Sequence, residues 1–275
     1  MNKSFVARNW AIAITISLFV GCGPEDFEQK QAQAPNQFSF SAQKISGGTE
    51  VQLPAALTTT ATPSIVTLGM KTYVFYRSSS DSGIYMLRAN GYIGNEQWDG
   101  LFRLPGFVNT SDAPSAVTLD NKIYVFYKGA HDDTRIFVAR SLDGGLNWRM
   151  AMLPDNNRTR TRPEAHVIGG SIYLLYADVA VPPYDPAGKI VMGLLADGDW
   201  TDGHWTDGEI VSFVQTPTPS ALTGFRSFFS PAMVSLNGAR YVFLACAVPE
   251  DQHSTYRRIA IFRSSGSPFA PVWSS

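Results

Sequence analysis

Three arginines alternate within one short stretch of the sequence, and this spacing could bind an anion. Arg158, Arg160 and Arg162 are two residues apart, so their side chains share one face of an extended segment. Guanidinium groups bind carboxylates and phosphates through paired hydrogen bonds. Together with Arg226 and the aromatic Phe228, these residues predict a binding site for an acidic sugar. The alternative interpretation is a basic loop that is simply solvated.

Carboxylates are also candidates for chemistry. Glycoside hydrolases generally use two carboxyl groups, about 5 Å apart in retaining enzymes and further apart in inverting ones. Asp112 and Glu164 are candidates for such a catalytic pair, provided that the fold brings them into one pocket. Four further aspartates are reserve candidates: Asp132, Asp133, Asp178 and Asp185.

Other kinds of site find little support in the sequence. The four histidines lack the spacing of zinc ligands, and the acidic run at 197–209 fits an enlarged turn better than a calcium loop. We therefore expect no metal and no cofactor. Cys246 lies alone in an apolar strand, which is typical of a small buried side chain rather than of a nucleophile. The net charge of −1 gives no electrostatic reason to expect nucleic-acid binding.

The elements that must position these residues form a pattern that occurs four times. In every copy a proline lies ten residues before the first tyrosine of a second strand: Pro63–Tyr73, Pro114–Tyr124, Pro163–Tyr173 and Pro231–Tyr241. A third apolar strand and a tryptophan follow in each copy. Four-stranded units repeated about every 50 residues are typical of a β-propeller. We therefore predict an all-β propeller with four visible four-stranded blades.

The second copy shows the repeating unit most clearly. Its alternating and β-branched segments predict four strands, at Ala113–Leu119, Lys122–Lys128, Arg135–Ser141 and Arg149–Leu153. Asp120 and Asn121 separate the first two strands. Both residues tolerate positive φ, as a two-residue hairpin turn requires.

The two ends of the chain suggest how the ring closes. Leu-Pro ends the fourth strand in two copies, and Glu50–Pro54 repeats that ending without a blade of its own. The last copy stops at Trp273 without a recognisable fourth strand. We therefore expect the N-terminal strand to complete the last blade and remove exposed sheet edges. A ligand pocket would lie at the centre, where the innermost strands begin, next to Asp112, Arg162 and Glu164.

One turn of the second copy resembles a known motif. The stretch 141–148 (SLDGGLNW) matches the fixed letters of the Asp box, so the chain resembles sialidases and other propellers with BNR repeats. Ser141 and Asp143 are expected to bond backbone amides across the turn. Gly145 would allow an unusual backbone conformation, and Trp148 would pack between blades. The resemblance implies that this structural turn lies on the outer rim, away from the ligand pocket.

The first residues of the chain predict export and lipidation. A charged start precedes an apolar run that is too short to span a membrane but long enough for a signal-peptide core. The run ends in LFVGC, which resembles the lipobox of bacterial lipoproteins and makes Cys22 the acylated residue. Gly23 follows the cysteine, which implies the outer membrane. An ordinary cleaved secretory signal is the alternative.

These features divide the chain into three parts. We predict a lipoprotein signal peptide at 1–21, a flexible tether at 22–46 and a β-propeller domain at 47–275. Within the tether, Glu25–Lys44 is polar and rich in Gln, so it cannot bury enough apolar surface to fold alone.

Three functions are compatible with the sequence. The first is a monomeric propeller, attached to the membrane through its N-terminal lipid, that binds acidic glycans without hydrolysing them. The reason to doubt hydrolysis is the blade number, because sialidase rings have six blades and comparable furanosidase rings five. The second function is a sialidase-like or other glycoside hydrolase. The third is a scaffold that binds another envelope protein.

Overall fold

The computed structural model describes residues 58–90, 97–105, 108–154, 156–179, 188–195, 209–210, 213–215, 226–227, 229–236, 239–247, 257–264 and 273–274. These residues form strands, turns and extended segments, so the all-β prediction is confirmed for the described part of the chain. Within these stretches there is no helix long and apolar enough to cross a lipid bilayer.

The first two blades each contain four antiparallel strands in chain order. The first blade consists of β1 (Ser64–Leu68), β2 (Lys71–Arg77), β3 (Ile84–Asn90) and β4 (Gln97–Arg103). The second consists of β5 (Ser115–Leu119), β6 (Lys122–Lys128), β7 (Ile136–Ser141) and β8 (Arg149–Met152). Each strand predicted for the second copy is confirmed to within two residues at its ends.

Ten more strands follow, and most of them form two further blades. In chain order they are β9 (Glu164–Ile168), β10 (Ser171–Ala177), β11 (Gly188–Leu195), β12 (Glu209–Ile210), β13 (Phe213–Gln215), β14 (Arg226–Ser227), β15 (Ala232–Leu236), β16 (Ala239–Ala247), β17 (Arg257–Ser264) and β18 (Trp273–Ser274). The third blade has the order β9-β10-β11-β13 and the fourth has the order β15-β16-β17-β18. β12 instead pairs in parallel with β8, on the outer edge of the second blade.

The fourth strand of the last blade corrects one expectation. β18 pairs with β17 through Trp273 and Ser274, so the last copy does not lack a fourth strand. This strand was hard to predict because its short segment carries no alternating pattern. Glu50–Pro54, which the sequence assigned to that position, lies outside the described residues, so its placement stays a prediction.

Tight turns with positive φ join the first two strands of the second and third blades. Asp120 and Asn121 have φ values of 48° and 59°, and Gly169 and Gly170 have values of 59° and 78°. Leu119 pairs with Lys122 directly across the first of these turns. The predicted two-residue hairpin is therefore confirmed.

The hydrophobic core lies between neighbouring blades. Successive residues of a strand point to opposite faces, so one strand contributes to two interfaces. In β10, Leu174 packs in the cluster that contains Phe126 of the second blade, whereas Leu175 packs in the cluster that contains Phe262 of the fourth. A third cluster joins the first and second blades. The blades thus stack face to face, and their innermost strands are brought next to one another.

Short extended segments also connect the blades through backbone pairing. Thr159, which precedes the third blade, forms a β-bridge with Asp178 of that blade, while Arg158 pairs with Arg135 of the second. β14 does the same one blade later, because it pairs with both β11 and β16. These links fix the segments that lead into each innermost strand.

The turn that resembles an Asp box forms a closed set of hydrogen bonds. Ser141 Oγ accepts the N–H of Gly145 at 2.8 Å and donates to Asp143 at 2.9 Å. Asp143 Oδ1 accepts two backbone N–H groups across the turn. Gly145 has a φ of 85°, and the Trp148 ring packs edge-on against Phe75 of the first blade at 5.8 Å. The turn therefore fastens the second blade to the first.

Candidate functional site

One open cavity of about 610 Å³ lies where the blades begin. Segments that lead into the innermost strands form most of its wall: residues 60–62, residues 111–113, Arg162 and residues 230–232. Arg77, the last residue of β2, also lines it. The four blades that the structure describes all contribute to this wall. The cavity lies at the end of the innermost strands where the sequence analysis expected a ligand pocket.

A threonine four positions before the proline shapes the segments that lead into the first three blades. Thr110 Oγ1 donates to the carbonyl of Asp112 at 3.0 Å and accepts its N–H at 3.1 Å. Thr59 and Thr159 make the same pair of bonds with the residues two positions further on. Such local bonds replace the missing strand pairing and hold a tight turn. The sequence analysis missed these residues. Their distance from the proline is the same in each of these copies, and this regularity could have revealed them.

Asp112 presents its carboxylate in the cavity wall. Oδ1 accepts the N–H of Ala113 at 2.7 Å, and Oδ2 accepts the N–H of Arg162, from the next blade, at 2.8 Å. Two backbone donors that belong to different blades therefore fix its orientation. Asp112 is the one carboxylate among the described residues of the wall.

Arg162 contacts both carboxylates that the sequence singled out. Its backbone N–H bonds Asp112, and its guanidinium forms an ion pair with Glu164. Glu164 lies behind the wall, with its Oε1 3.5 Å from His166 Nε2. Burial would raise the pKa of Glu164, but His166 and Arg162 outweigh it and hold that pKa below its usual value. The arrangement keeps Glu164 ionised, which does not suit a general acid.

Arg77 is a cavity residue that the sequence analysis missed. Its Nε donates to the carbonyl of Thr110 at 2.8 Å, Nη1 donates to Thr60 Oγ1 at 2.8 Å, and Nη2 donates to Ser82 Oγ at 3.1 Å. A signal existed in the repeat, because Arg77 and Lys128 occupy the same position at the end of the second strand in two copies.

Lys128 lies behind the cavity wall and is only 8% exposed. Its Nζ donates to Ser111 Oγ at 2.6 Å, and Ser111 lines the cavity. Burial lowers the pKa of Lys128, while the nearby charges of Asp112, Asp132 and Asp133 act in the opposite direction. Lys128 thus fixes the side chain that precedes Asp112.

Among the other predicted ligand-binding residues, the structure describes the side chain of Arg160 alone. Arg160 is exposed and is not part of the wall. Arg226 lies in β14, but only its backbone is described. Phe228 and Cys22 lie outside the described residues, as does residue range 1–57. The predictions for ligand binding by Phe228, lipidation of Cys22 and the domain boundaries therefore stay predictions.

The reserve carboxylates are placed as follows. Asp132 is exposed, Asp133 pairs with Arg135 at 2.7 Å, and Asp178 lies at the β-bridge after β10. Asp185 lies outside the described residues. Over the described ranges, no group of three or more His, Cys, Asp or Glu side chains is arranged to hold a metal ion.

Comparisons with known proteins identify similar structures but no similar sequence. No family model matches the chain, and no curated protein matches it. The structure of CoXyl43, a GH43 β-xylosidase/α-arabinofuranosidase from a compost microbial metagenome in complex with xylotriose, is 16% identical; the match covers 78% of this chain and 76% of that one, with a TM-score of 0.50. The endosialidase of phage phi92 is 13% identical over 73% of this chain and 34% of that one, also with a TM-score of 0.50. Both are propellers. The fold is a β-propeller.

These comparisons contradict the prediction of glycan binding without hydrolysis. Both similar structures are glycan-cleaving enzymes. That prediction rested mainly on the blade count. The similar structures instead support the hydrolase alternative better.

Proposed function

We propose that this protein is a glycoside hydrolase in which Asp112 is a catalytic carboxylate. The observation that carries the proposal is the position of this group, in the wall of a cavity to which four blades contribute. The fold shared with glycosidases supports the same reaction class. Hydroxyl groups of Thr60, Thr62 and Ser111 also belong to the wall and are suited to bind sugar hydroxyls.

A carboxylate held in this way has two possible roles in glycoside hydrolysis. As a general base it removes a proton from the water that attacks the anomeric carbon. As a nucleophile it bonds the anomeric carbon itself, and water later releases the sugar. The N–H groups of Ala113 and Arg162 orient it in advance, so little reorganisation is needed during the reaction.

The second carboxyl group must protonate the departing oxygen. Glu164 does not suit this task, because its pKa is lowered and Arg162 already pairs with it. We assign Glu164 a positioning role, since it holds Arg162, whose N–H orients Asp112. The acid would then come from another loop at this end of the propeller, and Asp178 and Asp185, which follow β10, are the candidates.

Hydrolysis of a panel of 4-nitrophenyl glycosides tests the proposal. The panel includes pentosides, hexosides and uronosides of both anomers. For any substrate that is cleaved, Asp112→Asn should lower kcat/KM by about 10²- to 10⁴-fold, as expected for loss of a catalytic acid or base. Asp132→Asn is the control, because Asp132 is an exposed carboxylate of the same blade outside the cavity wall. It should change kcat/KM less than about twofold.

Two results would contradict the proposal. One is the absence of cleavage across the panel and in glycan digests. The other is an Asp112→Asn variant that folds, as judged by its melting temperature, and retains the wild-type rate.

A further inference from the structure

The guanidinium of Arg77 is a charged group of the cavity that the proposed reaction does not use. It lines the cavity and donates to three neutral oxygens, two of them side-chain hydroxyls and one a backbone carbonyl. We propose that Arg77 is the subsite for a carboxylate on the sugar, so that the substrate is an acidic sugar. This inference rests on the proposed hydrolase function and names its substrate class.

The partners of Arg77 distinguish it from other arginines of the described chain. Arg88, Arg103 and Arg135 form ion pairs with Asp99, Asp81 and Asp133. Arg162, the other arginine of the cavity wall, pairs with Glu164. Arg77 instead has hydroxyl and carbonyl partners, which accept from three of its N–H groups but do not neutralise its charge. An anion in the cavity would therefore find its charge partner at Arg77 rather than at Arg162.

Arg77 also has hydrogen-bonding capacity left for a ligand. A guanidinium carries five N–H donors, and three of those of Arg77 are used by the protein. One donor remains on Nη1 and one on Nη2. Two donors on a planar fork match the two oxygens of a carboxylate better than they match the single oxygen of a hydroxyl.

The side chain is held in place before any ligand arrives. Thr60 and Thr110 belong to segments that precede the first and second blades, and Ser82 lies in the loop after β2. Bonds to three separate segments restrict the rotamers of a long side chain, so less entropy is lost when a ligand binds.

The position of Asp112 restricts how an acidic sugar can bind. Two carboxylates repel each other in a shared cavity, so the substrate carboxylate should lie at Arg77 and away from Asp112. Lys128, which bonds Ser111 beside Asp112, adds a basic group behind the same wall. In a hexuronate the carboxylate is on C5 and the anomeric carbon is C1, so the anomeric carbon would face Asp112 while the carboxylate is held at Arg77.

Binding is measured first, separately from turnover, with the Asp112→Asn protein. Titration calorimetry or ligand-observed NMR compares D-glucuronate and D-galacturonate with D-glucose, D-galactose and D-glucuronamide. At least one sugar acid should bind ten- to a hundredfold more tightly than its neutral counterpart, the ratio expected for a charged hydrogen-bonded contact. Arg77→Met should remove that preference, and Arg77→Lys should restore part of it. Arg103→Met, which removes an arginine paired with Asp81 outside the wall, should leave the preference unchanged.

The outcomes separate this inference from the proposed function. Cleavage of neutral glycosides with no preference for acids would overturn the subsite while leaving the hydrolase intact. Preference for acids without any cleavage would leave the subsite intact and contradict the hydrolase. Tighter binding of glucose 6-sulfate or glucose 6-phosphate than of every sugar acid would overturn the assignment to a carboxylate. If Arg77→Met does not fold, the affinities of glucuronate and glucuronamide are compared in the protein with native Arg77. Equal affinities would overturn the carboxylate subsite.

Discussion

The contact between the second and third blades differs strongly from two other blade faces, one on the first blade and one on the fourth. In the first case Phe126, Ile172 and Tyr176 are at most 2% exposed. In the second, Ile65 of β1 is 62% exposed and Ile261 of β17 is 51% exposed. Both are large apolar residues at the middle of a blade face, where the equivalent positions of the other blades are buried.

The strand geometry shows that these exposed residues lie on the faces that point away from the sealed contacts. Val66 packs toward the second blade and Phe262 toward the third, so their neighbours Ile65 and Ile261 point the other way. Residues 60–62 and 230–232 nevertheless line the same cavity. The comparison teaches that the residues that stabilise this fold differ from the residues that form the cavity. Three sealed contacts between described blades, and a smaller cluster of Val74, Tyr76 and Leu87 on the outward face of the first blade, supply the packing. The cavity needs only the ends of the innermost strands to converge.

The largest expected effect is on the sealed contact. Ile172→Ala should lower the free energy of unfolding by about 2–5 kcal/mol, because it removes buried methyl groups and leaves a cavity. Ile65→Ala makes the same chemical change on the exposed face and should cost less than about 0.5 kcal/mol. Urea unfolding followed by tryptophan fluorescence measures both. Equal losses would show that the first and fourth blades pack against each other in solution. The difference between buried and exposed blade faces would then not hold.

A smaller effect is expected for a hydroxyl that connects neighbouring blades. Ser115 is buried, and its Oγ accepts the N–H of Ala165 in the third blade at 3.0 Å. Ser115→Ala would leave that N–H without an acceptor in a dry interface, at a cost of about 1–3 kcal/mol. Ser235 is the matched control, because it is an exposed serine of another innermost strand. Ser235→Ala should change stability by less than about 0.5 kcal/mol, and a cost similar to that of Ser115→Ala would contradict the assignment of Ser115 Oγ as a stabilising acceptor between two blades.

The sequence predicted the blade unit well because local signals determine it. Lys122–Lys128 was predicted at its observed bounds, since strong β-formers end there against a turn whose residues adopt positive φ. β18 was missed because two residues carry no periodicity, and it pairs only because β17 presents a free edge. A strand that forms only by pairing with a neighbouring edge has no pattern in its own sequence that would predict it.

The site was predictable only in part for a similar reason. Asp112 and Arg162 precede repeated prolines, so the repeat pointed to them. Arg77 ends a strand and reaches the cavity only because Thr60, Thr110 and Ser82, from three separate segments, hold it there. Arg160 alternates with Arg162 in sequence, yet it is exposed, because the tight turn at Thr159 interrupts the extended segment that alternation assumes.

The smallest expected effect is a difference in acid sensitivity between the two regions. Glu164 lies at the sealed side, with a side chain 13% exposed, and Asp81 lies at the open side with a side chain 38% exposed. Burial opposes ionisation of both, but their partners hold both pKa values below the usual range: His166 and Arg162 for Glu164, and Gly83 and Tyr85 for Asp81. A lowered pKa contributes stability that is complete above the pKa of the unfolded chain and is lost as the pH falls through the folded value.

Urea unfolding between pH 7 and pH 3 tests this difference. The stability gap between wild type and Glu164→Gln should be largest at neutral pH and should shrink as the pH falls below about 4.3, the ordinary pKa of a glutamate. The gap for Asp81→Asn should be smaller at every pH, because solvent screens an exposed ion pair. A gap for Asp81→Asn as large as that for Glu164→Gln would show that the first blade's outer face is as well shielded from water as the sealed contacts, and the open side would have to be reassigned as an interface.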